Sequence, residues 1–107
     1  MTHVILIPDF DEEHLLEPIN AFLKNHGYGQ LVSTHDPGLP LNWHGGTKNF
    51  SIHMYLGAFN YFDLTEFVEF IRQLEIAEPQ TWQLFVEGAD DVGIREIDLF
   101  PKIGHND

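Results

Sequence analysis

The sequence predicts an α+β domain of ferredoxin-like type: a βαββαβ order with an additional C-terminal hairpin strand, and two helices on one face of an antiparallel sheet. Three observations carry that expectation. A short apolar run opens the chain, two segments repeat apolar residues at helical spacing, and several stretches alternate apolar with polar residues. The length of 107 residues suits a single domain, 1–107, and 43% hydrophobic content with nine Phe supplies one core.

Val4-Ile5-Leu6-Ile7, closed by Pro8, reads as a buried central strand, with Ile5 and Ile7 assigned to the core. Asp9 to Glu13 then place carboxylates where they complement a helix amino terminus, and Leu15, Ile19, Phe22 and Leu23 recur at helical spacing up to Gly27. Pro18 fits only a first turn, so the regular helix is expected to start near Glu17. Gln30 to Thr34 reads as a second strand. Phe50, Ile52, Met54 and Leu56 alternate with polar or small residues as a third.

Asp63-Leu64-Thr65-Glu66 has the form of a capping box opening a second helix, whose stripe is Phe67, Phe70, Ile71 and Leu74. Trp82, Leu84 and Val86 mark a fourth strand, and Ile94 to Phe100, alternating around Ile97 and Leu99, a fifth. The segment from Pro101 onward is expected to be a flexible tail. The sheet order expected from right-handed crossovers is 4-1-3-2.

Seventeen acidic residues against five basic ones leave a formal net charge of −12 with histidines neutral. Such a field repels phosphate backbones and anionic lipid, which argues against nucleic acid and membrane as partners, and it steers cationic proteins toward the chain. The same charge also serves solubility alone. There is no cysteine, which excludes disulfides and thiolate metal sites and favours a reducing, cytoplasmic location. The apolar run before Pro8 is too short for a signal peptide or a membrane span.

No phosphate-binding glycine loop, nucleophile elbow or metalloprotease motif occurs, so no catalytic residue is assigned and the chain is read as a non-enzyme. His35, His44 and His53, with Asp36, invite a metal reading. Their nine-residue spacing across a loop and a strand argues against it, and neither metal nor cofactor is expected.

The Asp36–Asn49 connection exceeds ordinary loop lengths, and long loops tend to carry function. Trp43 at its middle either folds onto the core or anchors an interface. In the expected topology this loop shares one pole of the sheet with the end of the first strand and the end of the second helix. Asp9, Asp11, Glu12, Glu13, Asp36, Trp43, His44, Glu75 and Glu78 are therefore the partner-binding candidates. The opposite pole carries Asp63, Glu66, Glu87, Asp90 and Asp91.

A small, acidic, cysteine-free domain with an acid-rimmed aromatic loop resembles, in electrostatic character, the immunity proteins that neutralise bacterial nuclease toxins and the mimics of nucleic acid. Stoichiometric inhibition of a basic protein is the expected function. The alternatives are a small-molecule-binding or regulatory domain that dimerises through its open sheet face, and an enzyme using the histidine-rich loop.

Overall fold

A computed structural model describes residues 1–39, 45, 52–88 and 93–101. Its frame is a five-stranded sheet built on β1 (Thr2–Ile7), flanked by β3 (Tyr55–Phe59) and β4 (Gln83–Glu87), with β2 (Val32–Ser33) and β5 (Arg95–Ile97) at the edges. The order is β2-β3-β1-β4-β5 and every pairing is antiparallel.

Side chains alternate across a strand, so the register assigns them to faces. Val4 lies opposite Gly57 and Val86, and Leu6 opposite Tyr55 and Leu84. These residues share the face covered by α1 (Leu16–Asn25) and α2 (Leu64–Arg72), which contribute Leu16, Ile19 and Leu23, and Phe67, Val68 and Ile71, to the same buried cluster. Stacking of Phe22 on Phe70, centroids 4.4 Å apart, joins the two helices. The result is an α+β domain with two helices packed against an antiparallel sheet.

The assignment of Ile5 and Ile7 to the core is corrected. Val4 and Leu6 are the buried residues of β1. A continuous apolar run carries no alternation, so its phase is set only by which face the helices cover. The third strand is also displaced: it begins at Tyr55, Ile52 is 52% exposed, and Leu56 faces away from the helices. Gly57 explains the shift in phase. The position its Cβ would take lies 2.5 Å from the Phe59 ring and 3.0 Å from Leu31, so the core fills the space that a side chain would need. Phe50 lies outside the described residues.

Local signals locate the helices well. Asp63 caps α2 by accepting from the Glu66 amide at 3.0 Å. Helix α1 starts at Leu16, which puts Pro18 in the first turn where its missing N–H forfeits no bond. It ends in a Schellman turn: Gly27 at φ +76°, with the Tyr28 amide donating to the Leu23 carbonyl at 2.9 Å. The carboxylates before α1 belong to a separate 3-10 segment, Phe10–Leu15.

Two polar clamps fix the edges. Asn20 accepts from the Leu31 amide at 2.8 Å and donates to its carbonyl at 3.3 Å. Arg72 donates from Nε to the Leu99 carbonyl and from Nη2 to that of Asp98, tying the last described segment to α2. The tail expected from Pro101 lies, from 102 onward, outside the described residues.

Candidate functional site

The 3-10 segment after β1 is the centre of the acidic pole, because its carboxylates reach in two directions. Toward the segment before β4, Asp9 accepts from the Asp11 amide at 2.9 Å through Oδ1 and from Thr81 Oγ1 at 2.8 Å through Oδ2. These two bonds, the Asp11 amide first and Thr81 second, hold the Asp9 carboxyl below its ordinary range. Thr81 Oγ1 is also 2.8 Å from the Glu78 carbonyl, so its single proton is shared between two acceptors.

Glu12 is 7% exposed. It leaves helical geometry within its segment, at φ −121° and ψ 21°. Its Oε2 accepts from the Ala77 amide at 2.7 Å and its Oε1 from Trp82 Nε1 at 3.1 Å. An expected rim acid is thus an interior bracket between the start of the chain and the strand β4 region.

Toward the β2–β3 hairpin, Glu13 Oε1 accepts from Tyr55 Oη at 2.5 Å and pairs with His53 Nδ1 at 2.7 Å. Burial first, and the neighbouring Glu13 carboxylate second, push the Tyr55 phenol well above its ordinary range. The His35 and His53 rings stack, with centroids 3.9 Å apart and planes at 20°. Separation along the chain conceals this encounter. Ser33 pairs with Tyr55 and the Thr34 amide donates to the Met54 carbonyl at 2.8 Å, so continuing the same register makes His35 and His53 cross-strand neighbours. Hairpin register, not sequence spacing, brings the two rings together.

Ile7, Pro8, Phe10, Glu13, Ile52 and His53 line a cleft of about 100 Å³ beside this cluster. Its walls include Phe10, 82% exposed, and Ile52. Chemically, a carboxylate that fixes an imidazole tautomer has the form of a general-base pair. Among the described residues no hydroxyl is hydrogen-bonded to His53 Nε2, and no group of three or more His, Asp or Glu side chains is placed to hold a metal ion.

Of the remaining candidates, Asp11, Glu75 and Glu78 are exposed, with Glu78 Oε1 accepting from Gln80 Nε2 at 3.1 Å. Asp36 forms a turn, its Oδ1 accepting from the Gly38 amide at 2.7 Å, directly beside His35. Thr81 therefore links Asp9 to Glu78, Glu12 binds the neighbouring Ala77 and Trp82, and Glu13 leads separately to the hairpin. Trp43 and His44 lie outside the described residues, as does most of the long loop.

At the opposite pole Asp63 is a helix cap, Glu66 pairs with His26 at 3.4 Å and Glu87 with His3 at 3.7 Å. Asp90 and Asp91 are outside the described residues. No helix among the described residues is long and apolar enough to cross a membrane. Compared with protein-family models, curated proteins and solved structures, the chain matches none.

Proposed function

We propose that this chain is a stoichiometric inhibitor of a basic protein, in its most direct form a bacterial nuclease toxin, acting by occlusion and not by turnover. The observation that carries the reading is the band of carboxylates around the first 3-10 segment, Asp9, Asp11, Glu13 and Glu78, on a chain of net charge −12. Three of these carboxylates, Asp9, Glu13 and Glu78, are held by local hydrogen bonds and can imitate the spaced anions of a nucleic-acid backbone, and the whole-molecule field accelerates encounter with a cationic groove. Trp43 and His44 complete the proposed surface on sequence grounds. A cytoplasmic location and the absence of nucleic-acid and membrane partners belong to the same proposal.

The accompanying fold reading is ferredoxin-like with an added edge strand. It is supported by the β-α-β-β-α-β succession and by the neighbour relations β4-β1-β3-β2 within the sheet.

The decisive experiment is capture from the organism's secreted proteins on immobilised chain, followed by titration of the captured protein's nuclease activity. The expected result is a cationic protein, inhibited at one-to-one stoichiometry, with an association rate that falls steeply with salt. Capture of no cationic protein, together with thermal stabilisation by a small metabolite, would overturn it.

A second reading is favoured by one specific observation. The sheet face opposite the helices carries a continuous lateral row, Val32, Leu56, Ile5 and Phe85, each opposite the next in register. Such a stripe suits a regulatory domain that dimerises through its sheet. The charge of −12 on each copy opposes it, and sedimentation at low and high salt separates the readings.

A further inference from the structure

We propose that the cleft between Phe10 and Ile52 receives a lysine side chain of the basic partner, its ammonium resting on Glu13. The inference rests on the inhibitor reading and names the contact that would hold the complex. Two walls of the cleft are apolar side chains left in water, Phe10 at 82% and Ile52 at 52% exposure, and the polar groups lining it are Glu13 and His53. A ligand matching this outline has an aliphatic stem and a cationic head, the form in which lysine packs its methylenes along apolar surface. Glu13 Oε1 already accepts from Tyr55 and His53, whereas Oε2 accepts from no described residue.

That division of labour selects between the two basic side chains. An arginine fork is matched by two carboxylate oxygens side by side, and here one is committed; an ammonium needs a single acceptor and is satisfied as a point charge. The exposed Phe10 ring adds a cation–π face, and Asp9 and Asp11, its neighbours in the chain, add negative charge to the same segment. The volume of about 100 Å³ admits one side chain and not a helix or a strand.

The test uses n-butylammonium as probe, with n-butylguanidinium and n-butanol as comparisons, followed by amide NMR on the whole chain. Expected are saturable shifts confined to Phe10, Glu13, Ile52 and His53, with the guanidinium and the alcohol each weaker by roughly fivefold or more. Phe10→Ala should weaken the ammonium by a similar factor. Because Phe10 is exposed, that variant keeps its fold, which the rest of its spectrum verifies. Unsaturable shifts scattered over the acidic surface, or equal binding by Phe10→Ala, overturn the proposal.

With a captured basic protein, Phe10→Ala and Ile52→Ala should each speed dissociation on the order of tenfold. If both variants hold such a partner as tightly as the natural chain, the lysine seat is wrong while the inhibitor reading stands. If n-butylammonium fills the cleft but no cationic protein is captured, the inhibitor reading falls and takes the lysine donor with it.

Discussion

Glu12 accepts the indole N–H of Trp82 at 3.1 Å across 70 residues of chain, and both side chains are buried. The same carboxylate takes the Ala77 amide at 2.7 Å, so one side chain satisfies a buried indole donor and a half-buried backbone donor.

Glu12→Ala should therefore cost about 2–4 kcal/mol, because it leaves two N–H groups without an acceptor in addition to losing bonds to a charged group. Glu12→Gln should recover only part of this, since its amide nitrogen must face one of the two donors. Urea unfolding followed by Trp fluorescence measures both. A Gln variant as stable as the natural chain would show that the carboxylate is not the bracket described.

Gly57→Ala should destabilise by about 1–3 kcal/mol through overpacking, because the new methyl meets the Phe59 ring at 2.5 Å. Combining it with Phe59→Leu should restore part of the loss by vacating that volume. Thermal unfolding of the pair decides, and strictly additive losses count against the mechanism.

Asp63→Ala should cost about 1 kcal/mol by removing the acceptor for the Glu66 amide at the start of α2. Asp63→Ser should keep most of the stability, since a hydroxyl caps the same amide.

Tyr55 links stability to alkaline pH. Its phenol titrates above the ordinary value of 10.0 in the folded chain, by burial and by the Glu13 carboxylate, so the folded state holds a proton that the unfolded state releases. The contribution is complete below pH 10 and is lost as pH rises beyond it. Relative to Tyr55→Phe, the natural chain should hold a constant difference in unfolding free energy up to pH 10 and then lose ground. Parallel curves up to pH 11 contradict this.

Charge and aromatic should separate kinetically in the complex. Replacing the exposed acids Asp11, Glu75 and Glu78 by amides should slow association with the captured partner and flatten its salt dependence, because peripheral charges act through a screened field. Trp43→Ala should instead speed dissociation, costing on the order of 2 kcal/mol if Trp43 is an anchor. Stopped-flow association at several ionic strengths separates the two effects.

By itself the sequence determined the succession of helices and strands, the start of α2 at Asp63, the inward face of β4 and the acidic character of the surface. Each depends on residues within one or two turns of one another, or on composition, and such relations are written directly in the order of residues. Tertiary structure decided the rest. Val4 and Leu6, not Ile5 and Ile7, entered the core because a uniform apolar run has no phase until a helix layer covers one face. Glu12 and Asp11 are adjacent acids with opposite fates, one interior and one in water, because only Glu12 meets donors that lie 65 and 70 residues away. His35 and His53 meet because a hairpin register adds their positions to the same sum as Ser33 and Tyr55. A carboxylate's role follows from the donors it meets, and those donors are assembled by packing and register across the whole chain.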